Sequence, residues 1–339
     1  MTATMPNAGA ESDVVGPPPP FDLELTAALD AMGGGTPPGV VFTVEAVPAM
    51  REAHRARFPP VTLEDLRQDG AFAVSEREVP GPPGAPDITL LICLPTQATT
   101  PTGALYFVHG GGMVMGDRSF GAPFVLETAK ELGLAVISVE YRLAPEHPHP
   151  APVEDCYAGL QWLSEHTDEL GVDPDRIVIM GGSAGGGLAA SVTMLARDRG
   201  GPRLAGQVLR CPMLDDRNNS YSSRQLAGIG VWDRSANQMG WRALLGDRQG
   251  GPDVSPYEAP ARATDLSGLP PAFIDVGSVE TFRDEAVEYA SRLWQAGGQA
   301  ELHVWPGGFH GFFQAVPQAA ISQAAAASVL AWLGRVLAT

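Results

Sequence analysis

The stretch IVIMGGSAGGG, residues 177 to 187, joins four apolar residues to a serine, Ser183, that lies among glycines. Residues 181 to 185, GGSAG, have the pattern G-x-S-x-G. After a strand and before a helix, this pattern favours a sharp turn in which the serine hydroxyl projects above a sheet. The same letters also occur by chance in ordinary turns, so the interpretation depends on the flanking elements.

The chain around this turn alternates strand-like and helix-like segments. Apolar strand-like runs lie at residues 88–94, 104–109, 135–141, 176–180, 206–213, 271–277 and 301–305. Helix-like stretches lie at 152–170, 184–199, 283–297 and 318–338. Buried strands that alternate with helices predict a mostly parallel sheet covered on both faces. The predicted fold class is therefore α/β.

Two segments interrupt this alternation. Residues 21–70 are helical and turn-rich, and residues 214–262 contain no convincing strand. We interpret both as parts of one mainly helical cap, although two separate appendages would give the same pattern. The catalytic domain then comprises residues 71–213 and 263–339. Residues 1–20 lack the basic region and apolar run of a signal peptide and are expected to be a disordered lead-in.

Composition limits the kinds of partner and the cellular compartment that we expect for this protein. The chain of 339 residues has a net charge of −17, which would repel nucleic acid and anionic membranes. No apolar stretch approaches the roughly 20 residues of a membrane-spanning helix. The three cysteines, Cys93, Cys156 and Cys211, are far apart in the sequence, and no two of them form a CxxC pair. This spacing is typical of neither a disulfide framework nor a zinc site. We therefore expect a soluble, cytoplasmic protein.

A serine nucleophile needs a base, and His310 is the histidine best placed to supply it. A loop histidine is usually just solvated, but His310 follows the strand at 301–305 and precedes the last helix. It is therefore expected at the same edge of the sheet as Ser183. His303 lies inside that strand, where a structural role is expected.

The loop after the strand at 271–277 offers Glu280, Asp284 and Glu285 as acids that would orient the base. The order serine, acid, histidine is typical of α/β hydrolases. Asp275 lies inside the strand, and Asp284 is expected in the first turn of a helix, where a carboxylate is favoured without a catalytic role. Glu280 lies in the loop itself, so it is the predicted acid.

Donors for an oxyanion are predicted in HGGG, residues 109–112, which follows another strand. Glycines leave their backbone N–H groups open to close approach by a ligand. Neither phosphate-loop pattern, GxGxxG nor GxxxxGK[ST], occurs here, so phosphate binding is a weak alternative. The predicted donors are the N–H groups of Gly111, Gly112 and Ala184.

Five motifs together resemble the hormone-sensitive-lipase-like esterases of the α/β-hydrolase fold, from about residue 85 onward. They are HGGG, YRLAPEHPHPAPVED, GGSAGG, ETFRDE and FHGF, at 109–112, 141–155, 181–186, 280–285 and 309–312. The resemblance implies hydrolysis of short-chain acyl esters without a metal or organic cofactor, and a helical cap built from the N-terminus and an insertion. It also places Glu280 at the position of the family's acid.

Two positions depart from the family pattern. Gly182 precedes the nucleophile, where many relatives carry a carboxylate. Glu280 and Thr281 replace an Asp-Pro pair, although triads of this fold use either acid.

The sequence thus predicts a serine carboxylesterase for small-molecule esters that works through an acyl-enzyme. A lactone hydrolase, amidase or acyltransferase would use the same triad, and a small-molecule receptor of this fold would have lost a triad member. A homodimer is a further expectation. Candidates for the pocket lining, for which core packing is an equal alternative, are Trp232, Trp241, Met213 and Phe120.

Overall fold

The computed structural model describes residues 15–31, 41–57, 61–98 and 101–338. Its strands are β1 (Phe72–Val79), β2 (Ile88–Pro95), β3 (Thr102–Val108), β4 (Ala135–Glu140), β5 (Val172–Gly182), β6 (Gly206–Arg210), β7 (Ala272–Gly277) and β8 (Ala300–Trp305). Its α-helices are α1 (Leu23–Ala31), α2 (Val47–Arg57), α3 (Ala122–Leu132), α4 (Ala151–Glu165), α5 (Thr167–Leu170), α6 (Ala184–Arg199), α7 (Tyr221–Gln225), α8 (Arg234–Leu245), α9 (Arg283–Gln295), α10 (Phe312–Ala315) and α11 (Ala320–Val336).

The strands form one sheet in the order β1-β2-β4-β3-β5-β6-β7-β8. β2 pairs antiparallel with both β1 and β4. The remaining neighbours in this order, from β4 through β3 and β5 to β8, pair in parallel. The predicted mostly parallel sheet is confirmed. The sequence did not predict β1, because only its end residues, Phe72 and Val79, are buried and residues 75–78 are exposed.

Helices cover both faces of the sheet, as the alternating pattern predicted. One hydrophobic core contains Leu160 of α4, Leu188 of α6 and Leu293 of α9. The other face is covered by α3 and α11, which contribute Leu126 and Leu333 to a second core. The inner strands, such as β3, β4, β6 and β7, are thereby shielded from water on both sides, which explains their nearly continuous apolar sequences.

The two segments predicted to form a cap contact each other in the described residues. The N–H of Phe42 donates a hydrogen bond to Ser235 Oγ of α8 (3.0 Å), and residues 44–46 also lie against α8. Other parts of the first segment pack on the sheet domain. Leu25 of α1 contacts the cluster around Phe309, and Leu66 joins the core under α3. The single cap stays a prediction.

Parts of the predicted lead-in and cap, residues 1–14, 32–40 and 58–60, lie outside the described residues. Among the helices in the described ranges, none combines the length and apolar character that crossing a membrane requires.

Candidate active site

The turn between β5 and α6 holds Ser183 in a backbone conformation that side chains rarely adopt, with φ 57° and ψ −124°. Two glycines make this turn possible. A methyl group on Gly181 would lie 2.1 Å from the carbonyl oxygen of Gly185, and one on Gly185 would lie 2.1 Å from that of Val108. Strand and helix therefore approach so closely that both positions require glycine.

Gly182 differs from these two glycines. The nearest atom to a methyl group placed there would be the carbonyl oxygen of Arg210, at 3.8 Å, which is ordinary van der Waals contact. The turn therefore has room for a Cβ atom at this position. Glycine at 182 is not a steric requirement of this fold.

This contrast gives a first prediction. Gly185→Ala is expected to lower the free energy of unfolding by about 1–3 kcal/mol or more, because the methyl group overlaps backbone atoms. It should also lower kcat/KM by at least about 10², since Ser183 is displaced. Gly182→Ala is the matched control, with kcat/KM within a few-fold of wild type. Denaturant unfolding and ester hydrolysis measure both effects, and equal damage from the two variants would contradict the steric account.

Ser183, His310 and Glu280 form a continuous hydrogen-bonded chain at the carboxyl edge of the sheet. His310 Nε2 lies 3.0 Å from Ser183 Oγ, and His310 Nδ1 lies 3.1 Å from Glu280 Oε2. A carboxylate accepts only, so the proton of a neutral imidazole belongs on Nδ1 and Nε2 is free to accept from the serine. The structure thus brings together all three residues predicted from the sequence.

The other acids near this loop have different partners. Asp275 forms an ion pair (2.7 Å) with an arginine of β6. Asp284 accepts a hydrogen bond (2.6 Å) from a serine N–H of α7, and Glu285 accepts one (2.7 Å) from a backbone N–H of the segment after β6. Of these four carboxylates, Glu280 is the one bonded to His310.

The HGGG loop lies directly beside Ser183. A methyl group on Gly110 would be 3.4 Å from Ser183 Cβ. Gly111 and Gly112 have φ values of 112° and 63°, which glycine adopts at little cost. Within the described ranges, the N–H groups of Gly111, Gly112 and Ala184 donate no hydrogen bond, so all three are free for a ligand.

His109 fixes the start of this loop. Its ring stacks on Tyr141 (4.1 Å between centroids), and Tyr141 Oη donates to the carbonyl oxygen of His109 (2.9 Å). Burial lowers the pKa of His109, which keeps the imidazole neutral, and its Nδ1 lies 2.8 Å from the carbonyl oxygen of Gly110. The loop is therefore held in place before any ligand arrives.

Known proteins share both the sequence pattern and the architecture. The family pattern described as alpha/beta hydrolase fold matches residues 105–314. Carboxylesterase NlhH of Mycobacterium tuberculosis is 37% identical over 272 residues, which cover 77% of this chain and 82% of its own.

The chain belongs to the α/β-hydrolase family.

Solved structures of esterases resemble this α/β hydrolase closely. A bacterial heroin esterase has a TM-score of 0.85 at 39% identity, covering 94% of this chain and 98% of its own. A hyperthermophilic esterase from the archaeon Pyrobaculum calidifontis has a TM-score of 0.80 at 29% identity, covering 93% and 98%. The resemblance to hormone-sensitive-lipase-like esterases is confirmed, and so is the predicted class of carboxylic ester hydrolase.

The surroundings of His310 in this hydrolase alter its proton affinity. Burial opposes the imidazolium, but Cys211 and the Glu280 carboxylate favour it, and the pKa of His310 is raised above its ordinary value. Burial in turn raises the pKa of Glu280, and His310 partly offsets that effect. The imidazolium is thus stabilised where a proton taken from serine would reside.

Trp232 of the α/β hydrolase contacts both the oxyanion loop and the acid loop, which are far apart in the sequence. Its indole covers Gly112, where a methyl group would lie 2.3 Å from Cη2. Its carbonyl oxygen accepts a hydrogen bond (2.9 Å) from Thr281 Oγ1, directly after the predicted acid. Of the other pocket candidates, Trp241 and Met213 are fully buried, and Phe120 is half-buried and packs edge-on against His54 (4.8 Å).

Proposed function

We propose that this hydrolase is a serine carboxylesterase that cleaves short-chain acyl esters through an acyl-enzyme. The observation that carries the proposal is the hydrogen-bonded chain from Ser183 through His310 to Glu280 beside three free backbone N–H groups. A nucleophile, a base, an orienting acid and oxyanion donors are the parts that acyl transfer requires. Relatives named carboxylesterase and esterase support the same class.

Acylation follows from the positions of these atoms. Ser183 Oγ attacks the ester carbonyl carbon while His310 Nε2 takes its proton. The carbonyl oxygen becomes an oxyanion that accepts hydrogen bonds from the N–H groups of Gly111, Gly112 and Ala184, each worth about 3 kcal/mol in comparable sites. Glu280 stabilises the imidazolium through Nδ1–H. His310 then gives its proton to the leaving alkoxide, and the acyl group stays on Ser183.

Deacylation repeats these steps with water as the nucleophile. His310 Nε2 takes a proton from water as it attacks the acyl carbon, and the same N–H groups hold the second oxyanion. His310 returns the proton to Ser183 Oγ as the acid product leaves. If deacylation is slower than acylation, an activated ester should release a stoichiometric burst of p-nitrophenol.

Substrate length is the second prediction. Trp232 and the segment 214–262 border the oxyanion loop, and we infer that they limit the space for the acyl chain. Because pockets discriminate by about 1–3 kcal/mol per methylene, kcat/KM should be higher for p-nitrophenyl butyrate than for the laurate. Trp232→Ala should reduce the ratio of kcat/KM for the butyrate to kcat/KM for the laurate. An equal or higher kcat/KM for the laurate in the wild type would contradict the proposal of short-chain specificity.

Oligomeric state stays a prediction. A homodimer is an expectation that sedimentation equilibrium over a range of protein concentrations would test. A monomer at every concentration would leave the ester chemistry unaffected, because Ser183, His310 and Glu280 all come from one chain.

A further inference from the structure

Cys211 lies close to Glu280 and His310, although it is far from both in the sequence. It is the first residue after β6, and its sulfur, a carboxylate oxygen of Glu280 and a ring nitrogen of His310 all lie within 4.8 Å of one another. Cys211 is 4% exposed and Glu280 is 3% exposed. A soft ligand thus faces a carboxylate and an imidazole inside the protein.

The backbone holds Cys211 in this position. Its φ of 38° lies in the left-handed region, which a cysteine adopts only when its surroundings impose it. Its N–H donates to the carbonyl oxygen of Asp275 (2.6 Å), and the preceding carbonyl oxygen accepts from the N–H of Ser183 (2.8 Å). The backbone at Cys211 is therefore bonded to β7, and the backbone just before it to the turn that carries the nucleophile.

One carboxylate oxygen of Glu280 is available to bind a ligand at this point. Its Oε2 bonds to His310, but its Oε1 is buried and has no hydrogen-bond partner in the described part of the chain. A buried polar atom without a partner is costly, and a cation would remove that cost. With the thiol deprotonated, thiolate and carboxylate carry two negative charges, which match a divalent cation.

The donor set fits a thiophilic metal ion. Zn²⁺ binds Cys sulfur at about 2.3 Å, His nitrogen at about 2.0–2.1 Å and carboxylate oxygen at about 2.0–2.2 Å, in tetrahedral sites. Ligand atoms of such a site lie within about 4 Å of one another, so the cluster needs only a small contraction. A fourth position would remain for water.

We propose that Cys211, Glu280 and His310 form an inhibitory site for a thiophilic divalent cation such as Zn²⁺ or Cd²⁺. The cation binds Cys211 Sγ after loss of the thiol proton to solvent, one oxygen of Glu280, and Nδ1 of His310. The proton that Nδ1 carried moves to Nε2, so Nε2 no longer accepts from Ser183. The inhibition rests on the function proposed for His310, whereas binding of the cation does not.

Binding is tested without reference to activity. Cd²⁺ titrated into the wild-type protein should give a thiolate-to-metal charge-transfer band in the ultraviolet that saturates at one ion per chain. Calorimetric titration with Zn²⁺ should give the same stoichiometry. Cys211→Ser should abolish the band and weaken binding by about tenfold or more, since a ligand is lost. Cys93→Ser, which alters a buried cysteine of β2, is the matched control and should keep both signals.

Inhibition is measured relative to the metal-free rate of each variant. Zn²⁺ should suppress ester hydrolysis of the wild type and of Cys93→Ser, EDTA should restore it, and Cys211→Ser should resist. Equal binding by the wild type and Cys211→Ser, or none by either, would overturn the site. Tight binding through Cys211 with unchanged hydrolysis would overturn the inhibitory role. If Cys211→Ser does not fold, weaker Cd²⁺ binding by Glu280→Gln supports the site, and unchanged binding refutes it.

Discussion

Alanine in place of His310 is expected to lower kcat for a short-chain ester by a factor on the order of 10⁵–10⁶, because the members of a triad act as one unit. His310 Nε2 lies 3.0 Å from Ser183 Oγ, and none of the other described histidine side chains is hydrogen-bonded to that oxygen. Stopped-flow and steady-state hydrolysis of p-nitrophenyl butyrate measure the loss. Circular dichroism verifies that the variant remains folded.

His303 provides the matched control for His310. It lies in β8, stacks on Trp305 (5.2 Å between centroids), and its Nε2 is 2.9 Å from Glu301. His303→Ala should therefore keep kcat within a few-fold of wild type and lose only some stability. An inactive His303 variant beside an active His310 variant would mean that the base has been assigned to the wrong histidine.

Replacement of Glu280 by glutamine is expected to lower kcat by a factor on the order of 10⁴ while the fold is kept. The amide has nearly the shape of the carboxylate, but it neither selects the Nδ1–H tautomer of His310 nor stabilises the imidazolium. Because the defect lies in the proton acceptor, the loss should appear in kcat more than in KM. Single-turnover hydrolysis of an activated ester would measure it directly.

The pH profile offers a second measure of the same carboxylate. Activity requires neutral His310, so kcat/KM falls as the pH falls through its pKa. With that pKa raised, the acidic limb of the wild type should lie above the ordinary imidazole range. Glu280→Gln should move the limb to lower pH. Cys211 is the other group that raises this pKa, so a limb that stays in place would assign the shift to Cys211.

Asp284→Asn tests whether the right acid has been chosen. Asp284 Oδ2 accepts from the N–H of Ser222, and its other oxygen pairs with Arg283. This variant should keep nearly full kcat and lose some stability. If it is inactive and properly folded while Glu280→Gln is active, the acid has been misassigned, and the roles proposed for Ser183 and His310 would still stand.

Chain order and strand ends were sufficient to predict the fold and the positions of Ser183, Glu280 and His310. They sufficed because parallel strands carry their loops to one edge, so three distant motifs must meet there. β1 was missed because its middle residues face solvent and leave no apolar run. Cys211 was missed for another reason: its closeness to His310 arises from the pairing of β6 with β7 and from a left-handed turn, which no sequence spacing records.

The double attachment of Trp232, to Thr281 through its carbonyl and to Gly112 through its ring, has a consequence for the evolution of this enzyme. The segment that we propose limits the acyl pocket also contacts the acid loop and the oxyanion loop. A smaller side chain at this position would keep the carbonyl hydrogen bond but would uncover Gly112, so we expect it to disturb turnover together with substrate choice. Variants with a broader substrate range are expected to arise first at positions in residues 214–262 that leave these contacts intact.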